Sequence, residues 1–288
     1  MLIVTLEYWF MLPVSVVVAT VAMASGVEGA TFFTPLFLLV LGIPPEVAIG
    51  TGLITEVFGF ASGLFAYVRR RLIDYSLARA LLIVTVPMAV LGTIIAGSVE
   101  PTALKVILGM GLIAVAFSFL RSPEPALVRR ADSAIEQEYG GGRGETCVVT
   151  AEGERISYTV CNKAEGMLIS GTGALFMGMI STGLGEMNGY FLLQRCKVPS
   201  RVAVATSVLV VAVTALVAAT GHFIRFVQEG GDSLTTVLSL CVFTVPGAVL
   251  GGQLGAMVSS RISQHGLERA LGILFVLIGG LTLAEAIL

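Results

Sequence analysis

The chain has 288 residues, of which 56% are apolar and only 12% are charged, whereas about 25% of the residues of a soluble domain are charged. This composition excludes a soluble protein and indicates an integral membrane protein, because apolar stretches recur along almost the whole length. The net charge of −2 does not favour nucleic acid as a partner. The two histidines and four cysteines form no HExxH or CxxC pattern, so the sequence predicts no metal site and no cofactor.

Six apolar runs are each long enough to cross a bilayer as a helix, which needs about 20 residues. The runs lie at 46–68, 72–97, 102–120, 202–228, 234–258 and 267–288. Two further regions, 13–41 and 164–193, are interrupted by glycines. The apolar piece after the glycines has only about a dozen residues in each, which is too short to cross alone. The start of the chain lacks the features of a signal peptide, so we expect it to belong to the mature protein.

The basic residues favour one topology, because cytoplasmic loops carry an excess of Lys and Arg. If each interrupted region crossed the membrane once, the basic residues would be divided between the two sides. If each region is instead a helical hairpin that returns to its own side, all basic residues except Lys105 and Arg225 lie on one side. We therefore predict two hairpins, with both chain termini outside.

Two motifs occur in the same order in both halves of the chain. GIPPEVAIGTGL at 42–53 matches KVPSRVAVATSVL at 197–209, and VPMAVLGTIIAG at 86–97 matches VPGAVLGGQLGA at 245–256. Together with the opposite orientations, this similarity predicts an all-α membrane protein of two inverted repeats. Each repeat is a broken helical hairpin followed by three transmembrane helices.

The one polar stretch separates the two halves. The sequence predicts a first transmembrane repeat at 1–121, a cytoplasmic loop at 122–163 and a second repeat at 164–288. Alternating β-branched residues around Glu152 and Gly153 predict a short β-hairpin in this loop. Cys147 and Cys161 flank it. We expect both to be free thiols, because the cytoplasm keeps thiols reduced.

The glycines of the two hairpins mark an interior site, because non-helical backbone inside a bilayer must be buried in protein or line a watery cavity. The second helix of each hairpin begins there, and its free N–H groups attract anions. A carboxylate stands beside the glycines in each case, Glu28 in GVEGA and Glu186 in GLGEMN. The predicted substrate-binding residues combine these groups with nearby hydroxyls and an amide. They are Gly26, Glu28, Gly29, Thr31, Thr51, Gly183, Gly185, Glu186, Asn188, Thr206 and Ser207.

In these features the chain resembles the TauE/SafE family of membrane transporters, also called the sulfite exporter or toluene sulfonate uptake permease family. The resemblance rests on ASGVEGATFFTPLFLL, on the helix starts IPPEVAIGTGL and VPSRVAVATS, and on a proline followed by a glycine in the third segment of each half. It covers nearly the whole chain except the central loop. It implies a multi-pass protein of the bacterial inner membrane that moves sulfite, a sulfonate or a related organosulfur or carboxylate anion by alternating access.

The carboxylates depart from the family pattern, because family members often have an uninterrupted run of glycines at this place. Two negative charges would repel an anion unless they are protonated during part of the cycle, and burial favours the neutral form of a carboxylate. The hypothesis is that Glu28 and Glu186 carry protons. Glu56, within LITEVFGF, either pairs inside the bundle or joins these two. His222 is expected at the interfacial end of its span rather than in a proton relay.

Two other classes of function remain to be compared with an anion transporter. A transporter or channel for protons or metal ions is the alternative, because intramembrane carboxylates suit a cation. No enzyme is expected, because only one histidine lies within a span. The expected partners are the small anion, protons and the lipid bilayer, and abundant small-residue faces leave a homodimer open.

Overall fold

The structure is a computed structural model that describes residues 5–25, 28–121, 125–139, 145–258 and 264–287. A short 3₁₀ turn at Leu6–Tyr8 precedes the helices. The helices and strands, numbered in chain order, are α1 (Met11–Ser25), α2 (Ala30–Pro35), α3 (Pro45–Arg70), α4 (Tyr75–Ala96), α5 (Pro101–Leu120), α6 (Pro125–Tyr139), β1 (Thr146–Val149), β2 (Arg155–Tyr158), α7 (Lys163–Ile180), α8 (Leu184–Gly189), α9 (Ser200–Glu229), α10 (Gly231–Val258) and α11 (Gln264–Ile287).

Six helices in the described part of the chain are long and apolar enough to cross a membrane, namely α3, α4, α5, α9, α10 and α11. They confirm the six predicted spans, with ends that differ by a few residues. Local chemistry sets some of these ends. The Asp74 carboxylate accepts hydrogen bonds from the backbone N–H groups of Ser76 and Leu77, at 2.9 and 3.0 Å, and so starts α4.

Each interrupted region folds into a longer helix followed by a short one. After α1, the short helix α2 continues as a π-helical turn at Leu36–Val40, and after α7, α8 continues as a π-helical turn at Tyr190–Arg195. The second break is described completely. Ser181 and Gly183 both adopt positive φ values there, 60° and 114°, and only glycine does so without steric cost. The first break includes the predicted site residue Gly26, which lies outside the described residues.

Close packing of small residues joins each long hairpin helix to a helix of the other half. Three glycines of α10 face α1, and a Cβ atom on any of them would lie 2.5–2.6 Å from a carbonyl oxygen of α1. The glycines are Gly247, Gly251 and Gly255, and the carbonyls, in the same order, belong to Leu12, Val16 and Thr20. Because the order is the same on both helices, α1 and α10 run parallel.

The same kind of contact joins α7 to α4. Gly171 of α7 lies beside Val84 of α4, and Gly178 lies against the backbone of Ala89 and Thr93. The residue numbers of α4 and α7 increase in the same direction along this contact, so the two helices also run parallel.

The two hairpins enter the bundle from opposite ends. The backbone N–H of Asp74, just before α4, donates to the Thr206 hydroxyl near the start of α9, at 3.0 Å. The helix α10 begins directly beyond the far end of α9, so α4 and α10 begin at opposite ends. Since α7 is parallel to α4 and α1 is parallel to α10, the hairpins also start from opposite ends.

The remaining helix contacts have the same order in both halves. Helix α10 packs on α3, and in the equivalent contact α4 packs on α9. The equivalent helices α3 and α9 pack on each other, and so do α5 and α11. The proline inside α4, Pro87, has a counterpart in α10, Pro246. A buried threonine lies two residues before each proline and forms a hydrogen bond with a threonine of another helix. Thr85 pairs with Thr214 at 3.0 Å, and Thr244 pairs with Thr55 at 2.8 Å.

The central loop folds onto the membrane-spanning helices. The predicted β-hairpin is confirmed, since β1 and β2 pair antiparallel. The backbone N–H of Ala151, in its turn, donates to the Arg70 carbonyl at the end of α3, at 3.0 Å. Tyr158 is fully buried and its hydroxyl donates to the Asp74 carboxylate at 2.7 Å. The helix α6 was not predicted, because this stretch was interpreted only as a run of mixed charges.

The prediction that both cysteines of the loop are free is wrong for one of them. Cys161 forms a disulfide with Cys196, which directly follows the π-helical turn of the second hairpin, and Cys147 is free and exposed. The prediction concerned only Cys147 and Cys161, the two cysteines that flank the β-hairpin in the sequence. Cys196 is distant in the sequence and reaches Cys161 because the hairpin folds back to the end from which it entered.

Candidate functional site

The tips of the two hairpins meet at Glu28. This residue lies between α1 and α2, and only 1% of it is exposed. Its carboxylate accepts a hydrogen bond from the backbone N–H of Gly183 at 3.1 Å and a second from the N–H of Gly185. These amides are at the start of α8, where N–H groups have no partner within the helix. The donors are therefore backbone amides at the start of a helix, a place that favours a negatively charged oxygen.

Hydroxyl groups add two further bonds between the hairpins. Thr31 donates to Thr182 at 2.8 Å, and the hydroxyls of Thr34 and Ser181 lie 2.6 Å apart. All four side chains are buried. Buried hydroxyls need such partners, since burying a hydroxyl without one costs free energy. Together with Glu28, they form a continuous polar contact between the first and second hairpins.

Glu56 approaches the start of the other short helix. It lies in α3, is 2% exposed, and lies beside the backbone amides of Gly29 and Ala30. Neither of its carboxylate oxygens forms a close hydrogen bond with these amides or with another described residue. It also lines a cavity of about 20 Å³ with Gly29 and Phe33, a volume that holds about one water molecule.

Glu186 completes a group of three carboxylates. It lies in the first turn of α8, is partly exposed, and is close enough to both Glu28 and Glu56 to repel their negative charges. Carboxylates brought this close together repel one another when all of them are ionised.

Asn188 also has a free donor in this region. It is fully buried in α8, and its side-chain oxygen accepts a hydrogen bond from Ser170 at 2.6 Å. Its side-chain N–H₂ group has no partner among the described residues. Such a donor is suited to an oxygen atom of a bound anion.

Three of the predicted site residues are not brought to the hairpin tips by their polar contacts. The hydroxyl of Thr51 donates to the carbonyl of Val47 within α3, at 2.6 Å. The Thr206 hydroxyl accepts a hydrogen bond from the backbone N–H of Asp74, just before α4. The second hairpin tip lies near the opposite end of that helix. Ser207, next to it, is only half-buried. The structure thus brings together Glu28, Gly29, Thr31, Gly183, Gly185 and Glu186, with Glu56 beside them.

The prediction for His222 is wrong. The residue is 1% exposed rather than at an interfacial end, and its Nε2 lies 2.9 Å from the carbonyl oxygen of Gly178. That carbonyl is in the last turn of α7, where carbonyl groups lack helical partners. His222 therefore binds the end of the helix that leads to the second hairpin tip.

Sequence reasoning missed the hydroxyls of Ser181 and Thr182. Their signal was present, because both directly precede the glycine break at Gly183. Polar side chains next to a break in a buried helix are the natural partners of its exposed backbone groups. The same argument that selected the carboxylates as site residues therefore also selects these two hydroxyls.

Known proteins resemble this chain over most of its length. Residues 11–282 match the protein-family model described as Sulfite exporter TauE/SafE. The chain is 23% identical over 290 residues to the probable membrane transporter protein YunE of Bacillus subtilis (strain 168), covering 98% of this chain and 99% of that protein. It is 44% identical over 69 residues to the probable membrane transporter protein YjnA of the same organism, covering 23% of this chain and 25% of that protein. No solved structure matches.

Proposed function

Because the chain belongs to the sulfite exporter TauE/SafE family of membrane transporters, we propose that it is a secondary transporter that moves a small anion together with protons by alternating access. As a member of that family with six candidate spans, it is a multi-pass membrane protein of the bacterial plasma membrane. A membrane transporter of this kind is not an enzyme. The proposed cargo is sulfite, a sulfonate or a related organosulfur or carboxylate anion.

The observation that carries the proposal is the position of the Glu28 carboxylate. The backbone amides of Gly183 and Gly185 hold it in the way in which they would hold an oxygen atom of a sulfite or sulfonate. In this conformation the chain's own carboxylate occupies the amides. A cargo anion reaches them only when Glu28 leaves.

Protonation is what lets Glu28 leave. A neutral carboxyl group has no charge for the amides to stabilise and is a weaker acceptor than a carboxylate. When Glu28 takes up a proton, the amides become available to the cargo, so proton and anion bind together and move in the same direction. Glu186 and Glu56 lie beside this site, and carboxylates brought close together repel one another when they are ionised.

We propose that the two halves are inverted repeats that exchange roles as the protein alternates between its open states. The packing of α1 on α10 and of α7 on α4, and the threonine pairs before Pro87 and Pro246, support this relation. Broken helices at equivalent places in two such halves are a common site of substrate binding in transporters.

A second candidate function is the transport of a cation. The observation in its favour is Glu56, which forms no close hydrogen bond with a described residue and lines a cavity large enough for one water-sized ligand. The positive end of α2 beside it disfavours a cation, so we place this candidate second.

Uptake by the purified full-length protein in liposomes separates the two candidates. Labelled sulfite, a labelled sulfonate and a labelled divalent cation are each offered with and without a pH gradient. The proposal predicts anion uptake that increases when protons are driven in the same direction. Uptake of the cation alone would contradict it and favour the second candidate.

A further inference from the structure

The base of the second hairpin carries a covalent bond that no part of the proposed transport cycle uses. Cys161 lies just before Asn162, whose side chain caps the start of α7, and Cys196 directly follows the π-helical turn that ends the hairpin. The disulfide between them brings their Cα atoms to 5.1 Å. It therefore joins the point where the chain enters the hairpin to the point where it leaves.

Non-covalent contacts also join the two arms of the hairpin, and they include the buried ring of Phe191, which packs against Gly166 of α7. Arg195 donates to the carboxylate of Glu165 at 2.8 and 2.9 Å, but the two side chains are 52% and 30% exposed. Exposed ion pairs contribute little to stability. The first hairpin has no equivalent bond, since the sequence contains no cysteine before Cys147.

The charges near the bond indicate the compartment it faces. Basic residues are concentrated at this end of the bundle, and the contacts of the loop place them there. They include Arg70, Arg155, Lys163, Arg195, Lys197 and Arg201. By the positive-inside rule this end is cytoplasmic, and the cytoplasm keeps cysteines reduced. The bond is therefore expected to form only under oxidising conditions.

The two sulfur atoms differ in their accessibility. Cys161 is exposed, whereas Cys196 is 7% exposed. An oxidant in solution therefore meets Cys161 first, and Cys196 is the neighbour that completes the bond. Such an exposed and resolving pair is the arrangement by which thiols exchange with small disulfides.

We propose that Cys161 and Cys196 are a reversible redox site that a small disulfide oxidises and a dithiol reduces, and that oxidation slows transport. The Cys161 thiolate attacks the small disulfide RSSR, forming a mixed disulfide and releasing one RSH. Cys196 then attacks Cys161 and releases the second RSH, so two protein thiols and RSSR yield one protein disulfide and two RSH. The protein sulfurs lose two electrons, the sulfurs of RSSR gain them, and the two thiol protons leave with the products.

The effect on transport follows from where the bond lies and rests on the proposed function. The amides that hold Glu28 are at the tip of this hairpin, and the bond fixes the distance between its two arms at the base. With the thiols reduced, the arms are held by non-covalent contacts, among them the Glu165–Arg195 pair and the packing of Phe191 on Gly166, and they can separate when these contacts break. With the thiols oxidised they cannot, and the cytoplasmic opening of the hairpin is restricted.

The test uses full-length protein in liposomes, treated either with oxidised glutathione or with dithiothreitol. After denaturation, a maleimide–polyethylene glycol counts the free thiols. The wild type, which has four cysteines, is expected to show four free thiols after reduction. Because the exposed Cys147 also reacts with oxidised glutathione, the internal disulfide is counted in the Cys147→Ser variant, which is expected to show three free thiols after reduction and one after oxidation. The Cys161→Ser and Cys196→Ser variants do not form the internal disulfide.

Initial rates of sulfite uptake are measured on the same samples. Oxidation is expected to lower the rate of the wild type and of Cys147→Ser, and dithiothreitol is expected to restore it, while Cys161→Ser and Cys196→Ser keep one rate under both treatments. An unchanged number of free thiols, or an unchanged rate when the bond forms, would overturn the redox switch. If no variant transported any anion, the proposed function would fail, and the thiol count would still support or overturn the redox pair.

Discussion

Replacing Glu28 by glutamine tests whether the chain's own carboxylate competes with the cargo. Gln has the same shape but no charge, and its amide nitrogen cannot accept the N–H of Gly183 or Gly185. One of the two bonds is lost and the other loses its charge assistance, so the self-occupied state is weakened by about 1.5–3 kcal/mol. Because about 1.4 kcal/mol is a tenfold change in an equilibrium constant, Glu28→Gln should bind an anion about 10- to 100-fold more tightly than ionised wild type.

The assay is equilibrium binding of a labelled sulfonate to the purified protein from mildly acidic to mildly alkaline pH. A sulfonate keeps the same charge over this range, so any pH dependence belongs to the protein. Wild-type affinity is expected to fall as the pH rises, and Glu28→Gln is expected to bind tightly at every pH. The control is Glu100→Gln, since Glu100 is exposed and its side chain makes no capping hydrogen bond. Equal affinity and equal pH dependence in wild type and Glu28→Gln would refute the reasoning.

Two further predictions test the surroundings of the site. A Cβ atom on Gly185 would lie 3.1 Å from a carboxylate oxygen of Glu28, whereas one on Gly189 would meet nothing within 4 Å; Gly185→Ala should therefore change the rate of anion uptake, and Gly189→Ala should not. Burial and the neighbouring Asp74 raise the pKa of Tyr158 above its usual value, which is about 10. The hydrogen bond from Tyr158 to Asp74 therefore stabilises the protein below about pH 10. Its contribution is lost as the pH rises above that value. Thermal melting of Tyr158→Phe should show lower stability at neutral pH and a smaller loss at high pH, and equal melting curves would contradict this.

The six spans and the existence of two broken regions could be predicted because they depend on the local sequence. A run of about 20 apolar residues is informative without any knowledge of its neighbours, and glycines such as Gly183 interrupt such a run visibly. The two short return helices were expected at about a dozen residues, and the structure has them at Ala30–Val40 and Leu184–Arg195. The turn at Glu152 and Gly153 was readable for the same local reason.

Long-range contacts were harder to predict. The sequence indicated that Glu28 and Glu186 belong to one interior region, but which backbone amides hold Glu28 depends on how two distant hairpins dock. Thr206 was included because it aligns with Thr51 in the sequence, and its partner turned out to be Asp74. His222 was placed at an interface from its position near the end of a span, because nothing local shows that Gly178 packs beside it.

The central claim is that protonation of Glu28 lets the cargo anion bind, so that proton and anion cross the membrane together, and simultaneous measurement of proton and anion fluxes tests it most directly. Liposomes containing the purified protein and a pH-sensitive dye are given a labelled sulfonate. The proposal predicts that protons enter with the anion in the wild type, and that Glu28→Gln moves the anion without this proton flux and without pH dependence. Anion uptake by the wild type with no accompanying protons, or the same number of protons per anion in Glu28→Gln, would contradict the claim.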